Sequence, residues 1–184
     1  GAVAQVVETV KKREAEGWSF EAADASLELI MRSAMGDSAQ ALSPFTLESY
    51  RVIIEHRVDG AVVSEATVKL LVDGQRRIAT REGNGPVNAL DAALRAALTP
   101  FYPWLERIAL SDFKVRILAG GDPGDSRGTA AVTRVLLEST DHEGSWTTVG
   151  VHGNVVEASW LALVDALAYG ALRHRQQQQM PAAS

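Results

Sequence analysis

Apolar residues recur at helical spacing through the first forty positions of the chain. The spacing predicts one helix that ends at Gly17 and a second helix that is capped by Ser19. The apolar stripe of the second helix is formed by Phe20, Ala23, Leu27, Ile30 and Ala34. Because the stretch 38–44 is typical of a linker, we expect residues 1–40 to form a small helical linker subdomain, separate from the remainder of the chain.

From residue 45 the apolar period shortens to two, which is typical of strands. Strands are predicted at 50–58, 62–72 and 76–82, and the pairs Asp59-Gly60 and Asp73-Gly74 predict hairpin turns between them. Apolar and charged residues alternate along 50–58, so this strand is expected to be half buried.

A helix is predicted after these strands, from Val87 to Leu98, with Pro86 in its first turn where proline is tolerated. The same order then recurs. Strands are predicted at 112–118, 129–139 and 145–151, with a Gly/Asp-rich loop at 119–127 and a helix at 155–173.

This internal repeat predicts an α+β fold built from two strand-strand-strand-helix units related by a pseudo-twofold. Repeat 1 covers about 45–99 and repeat 2 about 108–173, within one domain at 45–175. The polar tail 176–184 is expected to be disordered. Both predicted helices are apolar over wide arcs, which favours burial against an additional surface such as a second subunit.

Composition excludes several classes of protein. The 184-residue chain has a net charge of -5 and no cysteine, so neither a nucleic-acid partner nor a disulfide framework is expected, and the cytoplasm is the natural compartment. No apolar run reaches the length of about 20 residues that a membrane helix needs. The chain starts without Met and leads directly into a helical pattern, so we expect a piece of a longer protein or a processed start.

No catalytic motif is found. The four histidines, His56, His142, His152 and His174, stand apart from one another, so no zinc-binding cluster is expected. The chain has neither a Gly-x-Ser-x-Gly elbow nor a phosphate-binding Gly-x-x-x-x-Gly-Lys-Ser/Thr loop.

Two glycine-containing corners remain as candidates for a binding site, one at 83–86 and one at 153–155. Each leads from a strand into a helix, and a helix N-terminus presents unpaired N–H groups that favour a carboxylate. Small residues inside the helices, Ala89 and Ala158, would leave room for a ligand with an aliphatic tail. The structural alternative is that 83–86 is only a tight turn with a good helix start, and that Asn154 is only an N-cap.

The sequences of these corners resemble a known family. Residues 83–91 (GNGPVNALD) are similar to the Gly-x-Gly-Pro-x-x-Ala motif in the regulatory domain of the 2-isopropylmalate synthase and (R)-citramalate synthase family, and residues 150–159 (GVHGNVVEAS) resemble its second motif. Residues 12–26 resemble the linker that precedes this domain. Together with 112–118 (DFKVRIL), the linker is closest to the citramalate synthase branch.

The resemblance implies that the complete enzyme condenses acetyl-CoA with a 2-oxo acid, which is pyruvate for citramalate synthase. Its N-terminal catalytic barrel holds a divalent metal through an Asp and a His-x-His pair. Neither the barrel nor a His-x-His is present in this chain, which is therefore expected to have no catalytic residue, no metal ligand and no cofactor of its own.

The family further implies a homodimer that binds a branched-chain amino acid as feedback inhibitor near its interface, isoleucine in the citramalate branch and leucine in the isopropylmalate branch. The effector-binding candidates lie in the two corners and are Gly83, Asn84, Gly85, Pro86, Val87, Ala89, Gly153, Asn154, Val155, Val156, Ala158 and Ser159. A purely structural dimerisation module and a free-standing enzyme of unknown chemistry are the alternatives from other classes.

Overall fold

The computed structural model describes residues 1–118 and 131–180 and divides into two compact units. One unit comprises residues 43–107, and the other comprises 1–42 with 108–184. The elements in chain order are α1 (Ala2–Ala15), α2 (Asp24–Ala34), α3 (Ala39–Leu42), β1 (Thr46–His56), β2 (Val62–Val72), β3 (Gln75–Gly83), α4 (Pro86–Leu98), a 3-10 helix (Pro103–Arg107), β4 (Ala109–Leu118), β5 (Val132–Asp141), β6 (Gly144–His152) and α5 (Val155–Gln179).

The predicted α+β fold is confirmed, because each unit contains a three-stranded antiparallel sheet followed by a helix. The strand orders are β1-β2-β3 and β4-β5-β6. Tight turns at the predicted Asp-Gly pairs connect the strands of the first sheet, with Asp73 and Gly74 at φ 48° and 73°. The pseudo-twofold between the units stays a prediction.

In the unit 43–107, α4 covers one face of the sheet. Alternate residues of β2 are buried beneath the helix, as the two-residue period requires, and these are Ser64, Ala66, Val68, Leu70 and Val72. The side chains of Leu90, Leu94 and Leu98 on α4 are completely buried. Beside this core, the Arg95 Nε donates to both carboxylate oxygens of Asp91 at 3.0 and 2.9 Å, and another guanidinium nitrogen of Arg95 donates to the Leu105 carbonyl at 2.9 Å.

The prediction that the first strand is half buried was wrong. Ile53 and Ile54 on β1 are 46% and 58% exposed, because α4 lies mainly over β2 and β3. The strand also starts at Thr46, before the predicted position. Alternation in the sequence therefore identified the strand but not the covering of its faces.

In the second unit, α5 lies very close to the strands β5 and β6. The Trp146 indole donates to the carbonyl of Ala166 at 3.1 Å, and the Thr148 hydroxyl donates to the carbonyl of Ala162 at 2.8 Å. A Cβ at Gly150 would overlap with the carbonyl group of Ala158. Glycine on the strand and alanine on the helix permit this short separation.

The helices α1 and α2 pack with the second sheet. The hydrophobic core between them contains Phe20, Ala23, Val149 and Val151, flanked by Val10, Trp18, Leu27, Ile30, Val132 and Leu136. The predicted boundary between a helical subdomain at 1–40 and a domain at 45–175 stays a prediction. Within its own unit, α2 contacts both β6 and α5.

The start of α2 differs from the sequence prediction. Ser19 does not cap it; the helix begins at Asp24, and Ala23 is its N-cap residue. Phe20 and Ala23 lie in the hydrophobic core before the helix begins, so their burial produced the helix-like apolar spacing. The expected linker at 38–44 also contains the short helix α3.

The end of α5 lies beyond the predicted residue 173, so the tail was wrongly predicted to be disordered over 176–179. The Gln177 amide donates to Glu143 at 2.7 Å, which holds this polar turn against the β5–β6 hairpin. The predicted loop at 119–127, the predicted start of β5 at 129 and the last four tail residues lie outside the described residues.

The expectation that no segment is apolar enough to span a membrane needs a correction. By length and composition, α5 is the one such helix among the described residues, although 61% of its apolar window is buried inside the fold. Its contacts with β5 and β6 are those of a core helix.

Candidate functional site

The first corner, residues 83–89, presents unoccupied backbone donors. Gly85 precedes α4 in an extended conformation, and no side chain caps the helix. Pro86 has no N–H, and the Ala89 N–H donates to the Gly85 carbonyl at 3.0 Å. The N–H groups of Val87 and Asn88 are thus first-turn donors for which the described residues provide no acceptor.

In the second corner, residues 153–159, a side chain of the corner itself accepts hydrogen bonds from the first-turn N–H groups. The Asn154 carbonyl oxygen accepts from the N–H groups of Val156 at 2.9 Å and Glu157 at 3.4 Å. The Ser159 hydroxyl donates to the Val155 carbonyl at 2.7 Å and is buried. The structural alternative of an N-cap therefore holds for Asn154, and this corner offers fewer free donors to a ligand.

Counting from the first helical residue makes the two corners comparable position by position. Gly85 corresponds to Asn154, and Gly83 corresponds to His152, whose Nδ1 accepts from the Asn154 N–H at 2.9 Å. In the first corner the Asn88 side chain accepts from the Asn84 N–H at 3.1 Å. The glycines of the two motifs therefore do not occupy equivalent positions.

The space beside the small alanines of both corners is filled by other parts of the protein. Ala89 and Ala158 are both 0% exposed, and they correspond to each other in the two helices. A Cβ at Gly83 would lie 2.5 Å from the Ala89 nitrogen, and one at Gly150 would overlap with Ala158. Their small size makes room for the strand backbone, so a ligand at either corner would contact the exposed glycine and valine positions instead.

Among residues 1–118 and 131–180, no group of three or more His, Asp or Glu side chains is placed to hold a metal ion. Three of the histidines have identifiable surroundings: His56 lies at the exposed end of β1, His142 lies 3.5 Å from Glu143, and His152 accepts from the Asn154 backbone. None of these three histidines lies in a cluster of metal ligands among the described residues.

One cavity of the structure was not expected from the sequence. A cavity of about 200 Å³ lies between α1, α2 and α5, and Asp165 and Arg13 are among its lining residues. Burial raises the pKa of the Asp165 carboxyl to about 6, although the Ser26 hydroxyl donates to it at 2.7 Å. A single Asp among apolar residues of a helix gives no sequence signal for a site, because such residues are usually solvated.

Comparison with known proteins identifies the class of this fold. Residues 21–171 match the family described as the LeuA allosteric (dimerisation) domain, and the chain belongs to that family. The match covers both sheet-and-helix units and α2. The resemblance of the two corner motifs to this regulatory domain is thereby confirmed.

The chain is similar to (R)-citramalate synthases in particular. It is 52% identical to that of Streptomyces coelicolor over 93% of this chain and 31% of the relative, and 44% identical to that of Aquifex aeolicus over 94% and 31%. A 2-isopropylmalate synthase of Acidimicrobium ferrooxidans is 37% identical over 80% of this chain and 25% of its own length. The chain thus spans about a third of the length of these relatives, and the prediction of a regulatory and dimerisation domain of the citramalate synthase family is confirmed.

Proposed function

We propose that this chain is the effector-binding part of a cytoplasmic homodimeric (R)-citramalate synthase, which condenses acetyl-CoA with pyruvate in isoleucine biosynthesis, and that its effector is isoleucine. The observation that carries the proposal is the uncapped start of α4, inside a family whose description names allostery. The catalytic barrel with its divalent metal would belong to a part of the enzyme outside this chain.

The chemistry of the first corner suits the carboxylate of an amino acid. The Val87 and Asn88 N–H groups carry the partial positive charge of a helix N-terminus, which attracts an anion. Gly85 adds no side chain that would block the approach, since a Cβ at this position would meet no atom within 4 Å. The partly exposed Val87 supplies an apolar surface for an aliphatic tail.

An exposed apolar stripe supports the dimerisation part of the proposal. Phe113, Val115 and Ile117 on β4 are 41%, 47% and 65% exposed, and they lie on the sheet face that α5 occupies over β5 and β6. Edge strands with uncovered apolar side chains favour association with another surface. A second copy of the same domain is the partner that the family description suggests.

Feedback inhibition requires two states of the enzyme with different affinities for the effector. The helices α1 and α2 precede the sheets in chain order and would lie between this domain and an upstream barrel. Their docking on β6 is the element that we propose to differ between the two states.

The proposal is tested by substituting Gly85→Asn and titrating isoleucine calorimetrically. Asn at this position would reproduce the cap that Asn154 provides in the second corner, so it would occupy the Val87 and Asn88 donors. We expect isoleucine affinity to fall at least tenfold. Gly153→Ala is the matched control, because a Cβ there meets no atom within 4 Å and no donor is affected.

Three results would contradict parts of the proposal. Equal affinity of the Gly85→Asn variant and the parent chain would remove the first corner as the effector site. Tighter binding of leucine than isoleucine would favour the leucine-sensing domain of a 2-isopropylmalate synthase. A stable dimer that binds neither amino acid, nor valine, would favour a purely structural dimerisation module.

A further inference from the structure

The cavity between α1, α2 and α5 has polar residues where helix packing would favour apolar ones. Gln5, Thr9 and Arg13 occur at intervals of four along α1, so they share the helix face that turns toward α2. Facing helices usually bury apolar residues at such positions. Here the polar stripe and Leu29 and Ile30 of α2 line a cavity of about 200 Å³ that is open to solvent on one side.

Opposite charges lie on different walls of this cavity. Asp165 projects from α5, and its Oδ2 accepts from the Ser26 hydroxyl at 2.7 Å. Arg13 projects from α1 with its guanidinium 4.7 Å from the centre of the Trp18 ring. Within the described residues the two groups form no direct ion pair of 4.0 Å or less, so each retains capacity for another partner.

The Arg13 guanidinium lies over the face of the Trp18 ring, and its N–H groups have no hydrogen-bond acceptor among the described residues. A guanidinium stacked over an aromatic ring can still donate in its own plane, in the fork that matches a carboxylate. On the wall formed by α5, the carboxylate of Asp165 can accept from an ammonium. The cavity as a whole carries no net charge, which favours a neutral zwitterion over a simple anion or cation.

We propose that this cavity is a second binding site, for a small α-amino acid with an apolar side chain. Asp165 accepts from the ligand ammonium, Arg13 donates to its carboxylate, and Leu29 and Ile30 contact its side chain. The hydroxyls of Thr9 and Ser33 provide further hydrogen bonds at the rim. This site is distinct from the corner at 83–89, and its ligand would join α1 and α2 to α5.

The environment of Asp165 is consistent with this role. Its pKa of about 6 leaves the carboxyl ionised at neutral pH, but burial makes the charge costly without a cationic partner. Arg13 lowers the pKa only partly, as the third contribution after burial and the Ser26 hydrogen bond. A ligand ammonium would supply the missing compensation.

The test starts from the Gly85→Asn variant of the full chain, in which the introduced Asn side chain already occupies the donors of the first corner. Isothermal titration with L-isoleucine, L-leucine and L-valine should reveal one site per chain for at least one of them. Asp165→Asn and Arg13→Gln should each weaken this binding at least tenfold. Glu14→Gln, an exposed neighbour on α1, is the matched control and should leave the affinity unchanged.

Ligand analogues separate a zwitterion site from a general apolar cavity. The amine that lacks the carboxylate and the acid that lacks the amino group should each bind at least tenfold more weakly than the amino acid. The inference would be overturned if the Gly85→Asn variant bound none of the three amino acids, or if Asp165→Asn and Arg13→Gln left its affinity unchanged. Failure of the corner site is recognised differently, by an isoleucine titration with the same number of sites and the same affinities before and after Gly85→Asn.

Discussion

The two sheet-and-helix units share one topology but treat the start of their helices differently. In the first unit, α4 begins at Pro86 after Gly85, has no side-chain cap, and presents two N–H donors without an acceptor among the described residues. In the second unit, Asn154 satisfies the corresponding donors of α5. A repeated fold therefore preserves its corners without preserving their hydrogen bonding, and of the two corners the first leaves first-turn donors without an acceptor among the described residues.

The units also differ in how closely helix and strand approach. Gly150 lies against Ala158 and Ala162, whereas the equivalent position in the first unit is Arg81, which is exposed. In the first unit the close approach is found at Gly83 instead. The second sheet is in addition packed by α2, which contacts β6, while α4 is the helix that covers the first sheet.

Gly150→Ala should have the largest effect on the difference between the two units. The added Cβ would overlap with the Ala158 carbonyl and lie 2.9 Å from the Ala162 nitrogen, and neither backbone group can move without shifting α5. We expect the free energy of unfolding to fall by about 3 kcal/mol, at the upper end for overpacking. Urea denaturation measures the effect.

Gly153→Ala is the control for that experiment, with an expected change below about 0.5 kcal/mol because its Cβ meets open space. A comparable loss of stability in both variants would mean that the conformational freedom of glycine, not the close approach of helix and strand, determines the effect.

The buried acid of α5 gives the next largest effect. Because the pKa of Asp165 is raised to about 6, the folded state binds more protons than the unfolded state between about pH 4 and pH 6. The free energy of unfolding contributed by this group therefore falls as the pH rises through that window. Asp165→Asn removes the cost of ionising this buried carboxyl. The free energy of unfolding of the variant, relative to that of the unsubstituted chain, should therefore increase by about 2 kcal/mol as the pH rises from 4 to 7.

Denaturation of both proteins across this pH range checks the expectation. Asp91 on α4 provides the comparison with the first unit, since burial also raises its pKa but Arg95 lies 2.9 Å away as a partner. A stability difference between Asp165→Asn and the parent that stays constant with pH would contradict the assigned titration.

The smallest expected effects concern the capping of the two helix N-termini. Asn154→Ala should lower the free energy of unfolding by about 1 kcal/mol, because the Val156 and Glu157 N–H groups lose their acceptor. Gly85→Asn should raise it by about 0.3 kcal/mol by adding such an acceptor. Thermal denaturation detects both, and opposite signs to these would mean that the two corners are not equivalent as capping sites.

Much of the fold was predictable because its local signals are strong. The Asp-Gly pairs and the two-residue period located the hairpins, and Pro86 located the start of α4. The exposure of β1 and the helix-like spacing before Asp24 could not be predicted, because both depend on which element packs against which. The end of α5 depends on contacts of Gln177 that are distant in sequence.

For the candidate site, glycine and asparagine residues indicated the two corners but not which of them is filled. The direction of the Asn154 side chain, and the burial of Ala89 and Ala158, arise from three-dimensional packing. Asp165 became recognisable only when α1 and α2 brought Arg13 and Ser26 to its side of α5.

The contacts of α2 with β6 have a mechanical consequence. The Ser26 hydroxyl accepts from the Val149 N–H at 3.0 Å, and the Asp24 carboxylate accepts from the Thr147 N–H at 3.4 Å, so two side chains of a helix complete the outermost strand of a sheet. If α2 moved away, these amides would need water or another strand as a substitute. Displacement of α2 would thus expose unpaired N–H groups on the edge strand β6. As long as α2 stays docked, it protects this edge from pairing with a strand of another molecule.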